Sequence, residues 1–390
     1  MKYKNYIREP ESFMHLHPKR LKNIILRKSA IPYNEWGNGA EKRSAQVHSI
    51  LLKHGIKVLD IDTPAPKKTI SFLYGLRFVV SNFFRVKMDR FFWERLISIG
   101  RTYAQLNGIL KNFKGESVIL WDYNIFNENF ILPYVARRFK FKTIAIPHNL
   151  ESLVPGQQSP NTGKVSPNWF SEEIKHLKKC DAVFTISREE NWLLRLHAVN
   201  AHYLPYFPAD AVYENLISIR NTRLHKSNFS NFLWLGSYGN GPTALGIEEL
   251  LLNASKLKTE ERILIGGHGT AEIKLKISAP FEILGTLDQN TLNEIMINCK
   301  AIIINQKISS GSLTKIIEFM VAGIPIISNT DALRSYQNIK GIYSFDSLEE
   351  LSILLSLESF DMPPLVENID LFENKFIQTI ELTIKSACND

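Results

Sequence analysis

Cysteine is scarce in this chain of 390 residues. The three present, Cys180, Cys299 and Cys388, are odd in number and far apart. No two form a CxxC pair, so neither a zinc site nor a disulfide framework is indicated, and a reducing cytoplasm suits the composition. Long apolar runs are missing too. None reaches the ~18 uncharged residues of a membrane span. The chain is charged and polar through Leu21, without the apolar centre of a signal peptide. No short-period repeat is visible. No carboxylate pair, metal-ligand cluster or nucleophile triad stands out, and no bound cofactor is expected.

Positive charge is abundant but unevenly placed. The formal net charge is +8. Residues 67–114 hold ten Lys and Arg against two acids, Asp89 and Glu94, so this segment alone accounts for the whole excess. It is also rich in aromatics. Phe72, Leu76, Val79 and Phe83 fall at helical spacing, as do Met88, Phe92, Leu96 and Ile99. Two amphipathic helices are expected, and two readings of them stay open. One is a peripheral contact with anionic lipid or a phosphorylated lipid acceptor, at the inner face of the membrane. The other is a buried helix pair whose basic side chains reach to water. Nothing matches a nucleic-acid reader motif, and no nucleic-acid partner is expected.

The length is comfortable for two domains. Strands and helices alternate along it, which predicts α/β architecture with parallel sheets covered on both faces. In the first half the expected strands are Asn23–Arg27, Lys57–Ile61, Ser117–Trp121, Thr143–Ile146, Ala182–Ile186 and His202–Leu204. Helices are expected over Glu41–Lys53 and Ser171–Lys179, and a mobile loop over Leu150–Trp169. Pro205–Asn231, with two prolines among charged and polar residues, reads as a linker. The pattern then restarts. Strands are expected at Phe232–Leu235, Arg262–Ile265, Glu282–Leu284 and Ala301–Ile304, with helices at Glu248–Leu257 and Leu292–Cys299.

The most informative stretch runs from Gly311 to Ser328. It reads as loop, helix, glycine stop and strand, following the strand Ala301–Ile304. Ser312 is placed to cap the helix. Gly323 suits the left-handed position after it, and Pro325 bars continuation. The loop Ser309–Ser312 is expected to leave backbone N–H groups facing an anion at the strand end. Lys315 and Glu318, three apart, share one helix face. One suits an anion and the other paired hydroxyls, a combination made for a sugar nucleotide. Ligands of doubly wound sheets sit at the carboxyl ends of strands. There the second half carries Gly236–Pro242, Gly266–Gly269 and Gly285–Asp288. The first half carries Gly37–Gly39 and His148–Asn149, and two such halves would enclose a cleft. Asp122, also at a strand end, has the chemistry of a base for an inverting reaction.

This ordering resembles the GT-B glycosyltransferases, and among them the retaining family 4. The most specific piece is Lys315-Ile316-Ile317-Glu318-Phe319-Met320-Val321-Ala322-Gly323-Ile324-Pro325, which is similar to the family's donor-site helix. Phe232–Ser237, Pro147–Ser152, Cys180–Ser187 and Leu204–Pro208 resemble further signatures in the right order. The resemblance implies two Rossmann-like domains facing a cleft. Residues 1–205, with a last helix within 368–390 crossing back, would form the acceptor side, and 206–367 the donor side. It implies a metal-independent enzyme that moves a hexose-like sugar from a nucleotide-sugar donor to a glycan or lipid-linked acceptor. Surface polysaccharide or glycoconjugate synthesis of bacterial type is the implied setting.

The resemblance also assigns roles. Glu318 would hold the ribose hydroxyls, and Lys315 with Gly311 and Ser312 would face the diphosphate. Gly236 and Ser237 would line the phosphate side, Gly267 and His268 the base side. His148 would lie near the transferred sugar and Gly39 near the donor phosphates or the acceptor, with Ser310 and Leu313 completing the loop. Two departures stand out. The family pairs Glu318 with a second glutamate eight residues earlier, where this chain has Ser310. The basic residue usual after the first donor-domain strand is missing from Gly241–Gly246. These departures keep two alternatives open: a sugar-nucleotide 2-epimerase, and a non-catalytic partner subunit on the same scaffold.

Overall fold

The computed structural model describes residues 24–29, 31–61, 66–82, 93–111, 118–123, 130–307, 310–367 and 369–389. In the first half, six strands and six helices alternate. They are β1 (Ile24–Lys28), α1 (Gly39–Lys53), β2 (Lys57–Asp60), α2 (Lys68–Asn82), α3 (Trp93–Leu110), β3 (Val118–Tyr123), α4 (Leu132–Arg138), β4 (Lys142–Pro147), α5 (Phe170–Leu177), β5 (Ala182–Thr185), α6 (Arg188–Leu196) and β6 (Ala201–Tyr203). The second half holds α7 (Asp210–Leu224), β7 (Phe232–Leu235), α8 (Gly241–Leu252), β8 (Ile263–Gly266), β9 (Phe281–Gly285), α9 (Gln289–Asn298), β10 (Ala301–Ile304), α10 (Thr314–Val321), β11 (Ile326–Asn329), α11 (Thr330–Leu333), β12 (Ile342–Phe345), α12 (Leu348–Leu355) and α13 (Ile369–Asn389).

The strands form two six-stranded sheets, ordered β2-β1-β3-β4-β5-β6 and β12-β11-β10-β7-β8-β9. Every pairing within them is parallel. Counted from β7, the second order is the 3-2-1-4-5-6 of dinucleotide-binding sheets. The chain reverses direction across the sheet between β1 and β3 in the first and between β7 and β10 in the second. Strands covered on both faces need apolar residues throughout, and β3 and β10 are buried at every position. Helix α13 returns to the first sheet: Phe376, Ile377 and Ile380 pack with Ile25, Val118 and Ile144.

Two elements depart from expectation. The presumed linker contains α7, fifteen residues long. Its Arg223, almost fully buried, donates to the carbonyls of Met296, Ile297, Cys299 and Gly323. Arg220 donates to those of Met320 and Pro363. These arginines anchor α7 to the turn after α10, so the segment is structural and not a tether. Helix α8 also starts earlier than expected. Asn240 accepts from the Thr243 amide as N-cap, and Pro242 lies in the first turn, where its missing N–H costs nothing.

Among the described residues no helix is long and apolar enough to cross a membrane. The basic segment does fold as a helix pair, α2 and α3. Its stripe is rotated from the expected one: Ser71, Gly75, Phe78 and Val79 are buried, whereas Leu76 faces water. Phe83, Met88 and Phe92 lie outside the described residues, as do Ser309 and the side chain of Cys388.

Candidate active site

The carboxyl ends of β7 and β8 carry Gly236-Ser237 and Gly267-His268. These turns are stitched together. The amide of Gly236 donates to Gly266 O at 3.1 Å, that of Tyr238 to His268 O at 2.9 Å, and that of Gly267 to Gly285 O at 2.8 Å. Ser237 and His268 are exposed at this edge. Lys315 reaches the same place from α10. Its Nζ donates to Leu235 O at 3.2 Å and lies 5.9 Å from the centroid of the Trp234 ring. Burial lowers its pKa to about 8.

One turn further along α10, Glu318 joins the two halves. Its Oε1 accepts from the Tyr206 hydroxyl and its Oε2 from Lys42 Nζ, both at 2.7 Å. Lys42 belongs to α1, whose start carries the predicted Gly39. Asn38 and Glu41 form a reciprocal capping box there. A Cβ added at Gly39 would come 3.3 Å from Thr314 Oγ1, at the first residue of α10. The starts of α1 and α10 therefore meet across the boundary between the halves. Nothing at sequence level singled out Lys42 or Tyr206, the two groups that hold Glu318.

A second crossing lies at the end of β4. Gly311 sits at φ +79°, in the left-handed region. A Cβ there would fall 2.2 Å from the Asn149 side-chain amide and 2.8 Å from His148 O. The Asn149 side-chain nitrogen donates to the carbonyls of His148 and Ser310 at 2.9 and 3.1 Å. Glu190, near the start of α6, accepts from the amides of Leu150 and Gly311 at 3.0 and 2.9 Å. The Gly311 amide is therefore bonded to an internal carboxylate, and the expectation that it faces the diphosphate is corrected. So is the capping role of Ser312. Its hydroxyl pairs with Tyr336 at 2.7 Å, and α10 begins after Leu313 without a side-chain cap. Arg334 donates to the Gly311 carbonyl and steadies the same loop.

His148 is half-buried, and both ring nitrogens lie out of contact with water and without a partner among the described residues. Burial lowers its pKa to about 4, so the ring is neutral at physiological pH. The Ser310 hydroxyl is likewise buried and unpartnered. Buried polar atoms without partners are rare enough to need an explanation. Here three belong to two predicted site residues on facing loops.

Asp122 does not have the setting of a base. It is buried against Arg27, which donates to it through Nε at 2.9 Å and through Nη2, while Ser44 donates at 2.8 Å. Arg27 in turn bonds Asp60 and stacks on Tyr33. That network ties β1, β2 and β3 together. Among the described residues no group of three or more His, Cys, Asp or Glu is placed to hold a metal. Two cavities, of about 340 and 630 Å³, lie elsewhere: one beside Lys53, Asp210 and Glu373, the other between β6 and α13. Neither includes a predicted site residue. The candidate site is the line along which the strand ends of both sheets face each other, because the chemistry gathers there.

No family model and no curated protein matches the chain. Solved structures do. A trehalose 6-phosphate synthase from Burkholderia multivorans is 11% identical over 93% of this chain and 99% of its own, with a TM-score of 0.57. HepE from Anabaena, in complex with UDP and glucose, is 10% identical over 92% and 99%, at 0.55. The catalytic domain of starch synthase IV from Arabidopsis thaliana, bound to ADP and acarbose, is 9% identical over 93% and 99%, at 0.54. At such identities the likeness establishes the fold. This chain has the two-sheet GT-B architecture of these glycosyltransferases, as the resemblance in its motifs implied.

Proposed function

We propose that this protein is a glycosyltransferase that binds a nucleotide-sugar donor at the ends of β7, β8 and β10. The observation that carries the reading is the setting of Glu318. A carboxylate offers about four acceptor positions. Tyr206 and Lys42 use one each, which leaves two, the number that the paired hydroxyls of a ribose require. The Tyr206 bond also fixes the side chain, so little freedom is lost on binding. His148 adds a neutral imidazole whose nitrogens, covered in this structure, would meet hydroxyls of the transferred sugar once the facing loops part.

The reaction in this reading is transfer of a hexose-like sugar to a glycan or lipid-linked acceptor, with retention, in surface polysaccharide or glycoconjugate synthesis. The bond from the anomeric carbon to the diphosphate breaks, and a bond to an acceptor hydroxyl forms on the same face. The departing phosphate oxygen takes the hydroxyl proton. The protein's part is to position both substrates and to meet the charge that develops on the diphosphate. The position of α2 suits an acceptor held at a membrane. Its exposed Ile70, Leu73, Leu76 and Val80 lie beside Lys67, Lys68 and Arg77.

A non-catalytic partner subunit is the second reading, favoured by Ser310 where a carboxylate is usual and by the bonded Gly311 amide. Incubation with a panel of nucleotide sugars, alone and with lipid extract, separates the readings. Transfer or donor hydrolysis supports the enzyme. Epimer formed without acceptor supports a 2-epimerase. Absence of all three, with the protein folded, supports the partner subunit.

A further inference from the structure

We infer that Lys42 is a ligand of the donor diphosphate, contributed across the cleft by the first half of the chain. This inference rests on the nucleotide-sugar reading and adds a residue to it. A diphosphate leaving group needs cations or strong donors around it. The stretches Gly236–Pro242, Gly266–Gly269 and Ser310–Leu313 contain neither Lys nor Arg, and the loop after β10 carries only Lys307. The basic side chains of the second half nearest these loops are few. Lys315 spends one of its donors on Leu235 O and stands as the one cation from α10. Lys307 is paired with Glu249 at 2.7 Å, and Arg334 bonds the carbonyls of Asp331 and Gly311.

Lys42 is differently placed. Its ammonium lies 2.7 Å from the carboxylate that would bind ribose, and its side chain keeps 19% exposure while that of Glu318 keeps 10%. An ammonium carries three N–H donors. Glu318 accounts for one, leaving two for phosphate oxygens. In a nucleoside diphosphate the α-phosphate is joined to the ribose ring through C5′ and its oxygen, across the ring from the paired hydroxyls. A lysine side chain that pairs with the ribose-binding carboxylate is long enough to reach from there to that phosphate. The pairing also solves an electrostatic problem. Without Lys42, the Glu318 carboxylate would stand unneutralised beside a dianionic or trianionic ligand, and like charges at that range repel strongly in a partly buried site. Together the two form a clamp with opposite ends, carboxylate to the diol and ammonium to the phosphate.

The test compares binding of a nucleoside diphosphate with binding of its parent nucleoside, in wild type, K42Q and K42R, at two ionic strengths. Thermal unfolding of each variant is followed in parallel. The inference predicts that K42Q binds the diphosphate about tenfold to a hundredfold more weakly while nucleoside affinity changes less than about threefold. K42R should recover most of the loss, and K42Q should flatten the salt dependence. Equal changes for both ligands would mean that Lys42 acts only through Glu318, which overturns the inference. So would unchanged diphosphate affinity in folded K42Q. A wild-type protein that binds neither ligand overturns the nucleotide-sugar reading itself and takes this inference with it.

Discussion

Replacing Glu318 by glutamine separates the binding role of this residue from its structural one. In the native protein its two oxygens accept from Tyr206 and Lys42, each at 2.7 Å. Glutamine keeps an acceptor for the deeply buried Tyr206 hydroxyl, so that group is not orphaned. Lys42, which retains some exposure, can turn toward water. The expected loss of stability is about 1 kcal/mol, as for a partly exposed ion pair. Binding should suffer more. Hydrogen bonds to a charged group contribute about 1.5–3 kcal/mol each. Two ribose hydroxyls that lose a carboxylate should therefore cost about 3 kcal/mol, roughly a hundredfold in Kd. Titration calorimetry with UDP, ADP and GDP measures the affinity, and urea unfolding measures the stability. Glu318→Ala should match the binding loss and add an unfolding penalty of about 1–3 kcal/mol from the stranded Tyr206 hydroxyl. If E318Q binds within about twofold of wild type with an unchanged unfolding midpoint, the carboxylate does not hold the ligand and the reasoning fails.

Gly311→Ala forces an L side chain into the left-handed region and drives its Cβ into Asn149 and the His148 carbonyl. It should destabilise by about 2 kcal/mol or more and weaken nucleotide binding, both read from one denaturant series with and without ligand. Stability should also fall with pH in a defined window. Burial raises the pKa values of Glu151 and Glu173 from 4.5 to about 7, and the Glu173 charge adds to the rise at Glu151. The folded state therefore holds more protons than the unfolded chain between those values, and stability is lost as pH rises from about 4.5 to about 7. Urea midpoints across that range should show this slope, and E151Q should reduce it. Sedimentation with vesicles tests the exposed face of α2: binding to anionic but not neutral vesicles is expected, and Leu73→Asp should abolish it.

The parts that were legible in the sequence are those governed by local chemistry. The strand β10 falls where its apolar run does, and α10 stops at Gly323, which takes φ +68° as its place after the helix requires. The parts that were not legible depend on partners far away in the chain. Arg220 and Arg223 resemble surface residues of a linker until Met320 in the last turn of α10 and Gly323 just after it, each 100 residues on, supply acceptors. Lys42 resembles any lysine on an amphipathic helix, yet its partner is 276 positions away. The loop around the Gly311 amide is rich in serine and glycine, a composition that suggests a free N–H. Glu190, 121 positions earlier, occupies it. A first-turn glutamate ordinarily signals only a helix start, so no local pattern marked that one.

The account stands on a nucleotide bound where the strand ends of the two sheets meet. A crystal of this protein soaked with a nucleoside diphosphate tests that most directly. The account predicts the ribose hydroxyls against Glu318, a phosphate oxygen within reach of Lys42, and the base beside Gly267 and His268. Clear density for the nucleotide at any other place, or a bound nucleotide whose ribose hydroxyls do not touch Glu318, would contradict it.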